Sequence, residues 1–191
     1  MALLMANTSN VKEMKNGRPE SVLLKDKTGA VVGALPNCAI VSVGDVVEGD
    51  HIREAKALAA TNAVGKFVVV APEINVQQYR TIDGQIGKFV LEADETYTAY
   101  QLSVLDRLEY SDAYFAGASA LKVGDKVNVQ DKGVNGERFV KHESGCLRIV
   151  SIVPLWLPVM LVPNTAAGQG AGAEAKLMPQ SCQMIKVEVE K

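Results

Sequence analysis

The side chains that most often carry catalysis or bind metals are scarce in this chain. It has two histidines, His51 and His142, and neither has a cysteine, histidine or carboxylate partner at a spacing typical of a metal site. The three cysteines, Cys38, Cys146 and Cys182, are far apart and odd in number. That pattern is typical of reduced, buried thiols rather than of a secreted disulfide framework. We therefore predict no catalytic residue and no metal site.

Two other stretches could bind a ligand by composition, but neither has the required context. The glycine-rich segment 166–175, AAGQGAGAEA, superficially resembles a phosphate-binding loop. It follows a proline-broken apolar run and lacks the Lys-Ser/Thr pair of such a loop, so we interpret it as part of a flexible loop near 164–176. The acidic stretch 92–95 lacks the regular spacing and turn glycine of a calcium loop. No cofactor is expected.

Charge and length exclude several classes of partner. The chain has 191 residues, with 20 Lys and Arg against 22 Asp and Glu, and no block of one sign. The long-range field that attracts proteins to nucleic acids or anionic membranes is therefore missing. The apolar run Ile149–Pro163 is shorter than the roughly 20 residues that a membrane-spanning helix needs, and three prolines interrupt it. The first residues lack the pattern of a secretion signal, so we expect synthesis in the cytoplasm.

Alternating apolar residues predict a mainly β fold. The alternation is clearest near the C-terminus, where Ile185, Val187 and Val189 alternate with charged residues. Val127 and Val129 alternate in the same way, and FVVVA at 67–71 is typical of a strand that is buried on both faces. Many short strands with few helices favour an antiparallel barrel or sandwich, because a parallel sheet needs crossover helices.

The remaining segments predict one short helix and an extended arm. The helix begins at Asp50, a suitable N-cap, and runs through HIREAKALAATNA to a stop at Gly65. Residues 1–19 have no clear hydrophobic period, which indicates an extended N-terminal arm that gains order from a partner. The β-rich domain then covers residues 20–191.

One segment stands out as a possible interaction site. Pro154-Leu155-Trp156-Leu157-Pro158 contains the only tryptophan of the chain. The segment is either a core strand with irregular ends or an anchor for a partner, because proline holds the backbone extended and tryptophan often dominates interfaces. Under the second interpretation, Leu155, Trp156, Leu157 and Met160 contact a protein partner, and the chain forms oligomers.

The middle of the chain resembles a family of small virion proteins of tailed bacteriophages. The resemblance covers GKFVVVAPEINVQQYRTIDGQIGKFVLEADETYTAYQLSVLDRLEYSDAYFA and then LKVGDKVNV. In the family pattern, a strand that ends in Pro-Glu leads to a glycine-containing loop, an aromatic-rich strand, a second strand and a Val-Gly-Asp strand. The corresponding segments here are Val68–Glu73, Gly84–Gly87, Tyr97–Leu102, Leu108–Phe115 and Val123–Val129. Where the family commonly has an Asp-Glu-Arg cluster, this chain has VQQYR at 76–80.

This resemblance implies a non-enzymatic decoration, cement or head-fibre-type protein of the capsid. Its partners would be the major capsid protein and further copies of itself, and its location would be the virion. The main alternative is a soluble barrel that binds a ligand or carbohydrate on an aromatic platform of Tyr97, Tyr100, Tyr110 and Tyr114. A hydrolase of unrecognised geometry is a third hypothesis. Tyrosines lined up in an open groove would favour the ligand hypothesis, whereas tyrosines inside the sheets would favour a structural role.

Overall fold

The chain folds as a mainly β protein. The computed structural model describes residues 6, 19–24, 35–47, 51–57, 59–71, 90–91, 95–130, 138–162 and 176–191. Its strands are β1 (Pro19–Leu24), β2 (Leu35–Pro36), β3 (Ile40–Val46), β4 (Arg53–Ala57), β5 (Phe67–Val70), β6 (Val90–Leu91), β7 (Thr96–Gln101), β8 (Arg107–Ser111), β9 (Lys126–Val129), β10 (Phe139–Lys141), β11 (Leu147–Val162) and β12 (Lys176–Val189). Two single turns of 3₁₀ helix, Asp112–Tyr114 and Ala118–Ala120, follow β8.

The strands form a closed barrel and a second sheet. The barrel has the order β1-β4-β3-β5-β7, and β7 returns to pair with β1. All of its pairs are antiparallel except that of β1 with β4. The second sheet has the order β10-β9-β11-β12-β8 and is antiparallel throughout, and β2 pairs with β6 separately. The predicted β fold with a barrel is thus confirmed.

Two apolar cores lie on opposite faces of the strands β3 and β5. Val41, Phe67 and Val69 belong to the cluster that fills the barrel. Ile40 and Val68, which alternate with them, belong to the cluster shared with the second sheet. Since successive side chains of a strand point to opposite faces, both faces of these strands are buried. This confirms the prediction for the FVVV run and explains its lack of polar residues.

The predicted helix from Asp50 to Gly65 is wrong. Residues Arg53–Ala57 form β4, which pairs with β1 on one side and β3 on the other. Ala55 is fully buried in the barrel, where its small side chain fits between two paired neighbours. The alanine-rich composition favours a helix only weakly, and the backbone hydrogen bonds that close the barrel outweigh that preference. Asp50, the expected N-cap, lies outside the described residues.

A turn between β2 and β3 joins the barrel to the second sheet. The side chain of Asn37 accepts hydrogen bonds from the backbone N–H groups of Cys38 and Ala71, and it donates one to the carbonyl of Ala71. Two buried tyrosines next to β12 complete the joint. The hydroxyl of Tyr110 donates to the carbonyl of Cys38 at 2.9 Å, and that of Tyr114 donates to the carbonyl of Asn37 at 2.8 Å.

Burial keeps the hydroxyl of Tyr110 protonated. Desolvation, reinforced by the neighbouring Cys38 and Tyr114, raises the pKa of Tyr110 well above its ordinary value. The ring of Tyr110 also packs against those of Tyr114 and Phe139, with centroids 5.0 and 4.8 Å apart. The joint therefore combines neutral hydrogen bonds with an aromatic cluster in the shared core.

We expect Tyr110→Phe and Tyr114→Phe each to lower the free energy of unfolding by about 1–2 kcal/mol, because each change leaves a buried carbonyl without its donor. Chemical denaturation monitored by circular dichroism measures this loss. Tyr100→Phe is the matched control, because Tyr100 is half-buried and lies outside the joint. Equal stability of all three variants would contradict the role assigned to the two hydroxyls.

Gly145 sets the closest backbone approach at the start of β11. A Cβ atom at this position would lie 2.5 Å from the backbone nitrogen of Val127 and 2.7 Å from its carbonyl oxygen. Both atoms belong to β9, so neither can move without disturbing the sheet.

We expect Gly145→Ala to destabilise the protein by about 2–4 kcal/mol, because the new methyl group would clash with backbone atoms. Gly44→Ala is the control, since its Cβ would lie 3.8 Å from the nearest atom, the carbonyl oxygen of Glu54. Thermal unfolding of both variants distinguishes them. A Gly145→Ala protein as stable as the Gly44→Ala protein would refute the close approach.

Candidate interaction site

The described residues contain no arrangement typical of a catalytic or metal centre. Among them, no group of three His, Cys, Asp or Glu side chains is placed to hold a metal ion. His51 and His142 are exposed, and His142 contacts Ser144 within its own turn. Glu95 is exposed, and the residues 92–94 lie outside the described part of the chain, as does the segment 163–175.

All three cysteines are buried and reduced. Burial raises the pKa of Cys146 and of Cys182, which disfavours the reactive thiolate at neutral pH. Cys38 has a different local feature, a positive φ of 59° at the joint described above. The cysteines therefore belong to the packing of the protein, as the sequence predicted.

The candidate interaction site is the long hairpin of β11 and β12. These strands have 16 and 14 residues and pair from Leu147↔Val189 to Val162↔Lys176. Their pairings with the other strands of the sheet are much shorter. Among the described strands, β9 pairs with β11 only at Leu147 and Arg148, and β8 pairs with β12 only from Met184 to Glu188.

The outer part of the hairpin is consequently a two-stranded ribbon. We define the ribbon as residues 155–162 of β11 with 176–182 of β12, which pair only with each other in the described part of the chain. At about 3.4 Å per residue, it extends roughly 25 Å beyond the last strand neighbour. An isolated two-stranded ribbon is only marginally stable in water, so this one depends on its root or on a partner.

A bulge and three prolines interrupt the ribbon and the strand leading to it. Leu157 pairs with Gln180 and Met160 with Met178, so Pro158 and Val159 together face only Pro179. Pro154 lies just before the ribbon and is exposed. Proline cannot donate a hydrogen bond and is therefore confined to edges and bulges of sheets. The outer edges of the ribbon are accordingly poor templates for another strand.

The root of the hairpin is anchored in the shared core. Ile149, Ile185 and Val187 are completely buried there, and the half-buried Ile152 packs against them. This confirms the predicted alternation of the C-terminal strand. A second bulge at Val150 lies between the pairs Ile149↔Val187 and Ser151↔Lys186.

Ion pairs hold the opposite face of the same root. Glu188 of β12 pairs in register with Arg107 of β8 and Arg148 of β11, its two neighbours across the sheet. Its carboxylate is 5% exposed and accepts a hydrogen bond of 2.9 Å from Nε of Arg107 and one of 2.7 Å from Nη2 of Arg148. Glu190 continues the row to Arg148 and to Lys126 of β9. The row thus ties together four strands.

These contacts shift the titration of Glu188. Hydrogen bonds from Arg148 and then from Arg107 hold the pKa of the Glu188 carboxyl below its ordinary value. A carboxylate with a lowered pKa stabilises the fold above the pKa of the unfolded chain, about 4.3 for glutamate, and loses that contribution as pH falls through the folded value. The C-terminal strand therefore contributes to acid sensitivity.

The structure places all four predicted partner-contact residues on β11. Leu155 is half-buried and pairs with the buried Cys182. Trp156, Leu157 and Met160 lie on β11 within the ribbon, and their side chains are outside the described part of the structure. The predicted contact residues therefore all lie within the ribbon, and whether a partner binds them stays a prediction.

The aromatic platform of the ligand-binding hypothesis has a different position. Tyr97, Tyr110 and Tyr114 are buried, and Tyr100 is half-buried. Tyr97 belongs to the barrel core, whereas Tyr110 and Tyr114 belong to the shared core. These four tyrosines do not form one open groove.

Sequence reasoning missed the residues that position the hairpin. Glu188 was predicted on the polar face of a half-buried strand, but two arginines far away in sequence cover it. No sequence motif marks Gly145 or Asn37 as important for the fold. The proline pair in a strongly apolar run was the signal that marked the ribbon itself.

Comparisons with known proteins identify no relative of this chain. No protein-family model, curated protein or solved structure matches the chain. In the described part of the structure, no helix is long and apolar enough to cross a bilayer.

We expect Glu188→Gln to lower the free energy of unfolding at pH 7 by about 1–3 kcal/mol, because the neutral amide leaves two arginines facing each other. The difference from the wild type should shrink as pH falls below about 4.3, where the unfolded chain takes up the proton, and should vanish once pH passes the lowered pKa of the folded carboxyl. Urea denaturation between neutral and acidic pH measures both effects. Glu143→Gln removes an exposed carboxylate from another turn and is the control. A constant difference at all pH values would contradict the assignment.

Proposed function

We propose that this chain is a structural component of a bacteriophage particle, a decoration or cement protein that binds and stabilises the capsid. The observation that carries the proposal is the ribbon, a hairpin extension that has no further strand neighbour among the described residues. The sequence resemblance to small virion proteins supports the same role. The proposed partners are the major capsid protein and further copies of this chain, and the proposed location is the virion.

The composition of the hairpin supports protein binding rather than exposure to water. The sequence contains no charged residue from Ile149 to Ala173, a span that includes all of the β11 side of the ribbon. A soluble monomer rarely leaves such a long apolar element without a covering partner. Tryptophan and leucine next to each other are typical of the residues that dominate protein interfaces.

The prolines favour contact through side chains. Pro154, Pro158 and Pro179 lack backbone N–H groups, so adding a strand to the ribbon edges would leave hydrogen bonds unmade. Under the proposal, Leu155, Trp156, Leu157 and Met160 insert into an apolar surface of the capsid. Such a contact suits a protein that bridges neighbouring capsid subunits, because burial of apolar area is then the main source of affinity.

The burial of the tyrosines favours this proposal over a ligand-binding barrel. An aromatic platform requires exposed ring faces, and three of the four tyrosines named for it are buried in the cores. The hydroxyls of Tyr110 and Tyr114 are already bonded to the joint between barrel and sheet.

The test is to rebind purified protein to phage particles that lack it. Particles are prepared from the phage genome that encodes the chain after deletion of its gene, and bound protein is quantified after sedimentation. We expect saturable binding of the wild type with a fixed copy number per particle, and at least tenfold weaker binding of Trp156→Ala, because such anchors commonly contribute 2 kcal/mol or more.

Val153→Ala is the matched control, because Val153 is 52% exposed and lies on β11 just before the ribbon. Its binding should stay within about twofold of the wild type. Failure of the wild-type protein to bind would overturn the particle assignment. Equal losses for Trp156→Ala and Val153→Ala would overturn the anchor role of the ribbon.

A further inference from the structure

Strand β8 is the edge of the second sheet, and Ala6, the described residue before β1, forms a β-bridge to it. On its inner side, β8 pairs with β12 from Met184 to Glu188. Its outer side includes the antiparallel bridge between Ala6 and Tyr110. Uncovered edges readily recruit other strands, so this contact matters for solubility and assembly.

The contact at Ala6 is part of the core rather than a loose surface contact. Ala6 is 8% exposed and belongs to the same apolar cluster as Tyr110, Leu108 and Ile185. Tyr110 is also the residue whose hydroxyl ties the sheet to the barrel. At Ala6, the contact on the outer side of β8 is therefore both apolar and buried.

The sequence around Ala6 fits an exchangeable strand. Residues 2–6 read ALLMA and are wholly apolar, whereas residues 7–18 read NTSNVKEMKNGR and include only two apolar side chains. β1 begins directly after this polar stretch, at Pro19. Twelve extended residues reach at most roughly 40 Å, which is far enough to pass from one small domain to its neighbour.

We propose that the outer edge of β8 is a strand acceptor, and that in the assembled protein its occupant is the N-terminal segment of a second copy of this chain. The contacts at Ala6 and Tyr110 are the same whether the segment comes from its own chain or from a neighbour. Exchange then changes mainly the entropy of the connection, which depends only weakly on its length. A high local concentration of copies favours the exchanged form.

This inference concerns how copies join and does not require the particle function. The N-terminal segment and the ribbon are separate elements with separate variants. Loss of exchange would leave capsid binding by the ribbon intact, and loss of capsid binding would leave exchange measurable in the purified protein.

Mixed-isotope photocrosslinking of the full chain tests the proposal. A photoreactive benzoylphenylalanine replaces Glu109 on β8, and equal amounts of unlabelled and ¹⁵N-labelled chains are unfolded, refolded together and concentrated to high micromolar levels. Mass spectrometry then identifies which N-terminal peptide is crosslinked to each β8 peptide. We expect about half of these crosslinks to join a heavy and a light chain, the random fraction for strands exchanged between two copies.

Two variants separate the strand contact from general effects of charge. Ala6→Asp places a carboxylate at the buried contact, so it should abolish the crosslinks and reduce the mass measured by light scattering to that of a monomer. Asn10→Asp adds the same charge within the polar stretch and should preserve both. Circular dichroism confirms that each variant retains its strands.

Crosslinks confined to pairs of the same isotope would overturn exchange, because they place the segment on its own chain. Crosslinks that never include the N-terminal peptide would overturn the acceptor role of β8. Mixed crosslinks that survive in Ala6→Asp would overturn the assignment of Ala6 as the contact residue.

Discussion

The joint between Asn37, Cys38 and the two tyrosines is the constraint on which the rest of the structure depends. Two hydroxyl groups donate to carbonyls of one turn, so the barrel and the second sheet are held in a single relative position. The turn itself is fixed by the side chain of Asn37, which bonds to the backbone of Ala71 beyond β5. Because these groups are buried, a donor or acceptor that lost its hydrogen bond here could not bond to water instead, and the fold would lose stability.

That constraint also acts on the root of the long hairpin. Tyr110 lies on β8 in register with Ile185 of β12, so the joint and the root of the hairpin are on neighbouring strands of one sheet. Glu188, three residues further along β12, ties β8, β11 and β12 together on the opposite face through Arg107 and Arg148. An apolar face and an ionic face thus hold the root, and the ribbon continues outward from it. A root held on both faces supports a two-stranded extension that would be only marginally stable by itself.

Much of the strand content could be predicted because the alternation of apolar residues is a local signal. The runs at Val127–Val129 and Ile185–Val189 became strands with those valines and isoleucine buried. The region around Ala55 was predicted to be helical for the same kind of reason, since alanine and charged residues favour a helix locally. Two strands distant in sequence pair with it instead, and no pattern within a short window reports that pairing.

By itself, the sequence determined that the protein is mainly β, that its histidines and cysteines form no recognisable reactive motif, and that one proline-rich apolar segment differs from the rest. These properties follow from residue type and spacing. Only the tertiary structure decided that this segment extends past its neighbours as a ribbon, that Glu188 is covered by two arginines, and that Gly145 must lack a side chain. Each depends on contacts between residues that are distant along the chain, and the closing of the barrel and the sheet sets which of them meet.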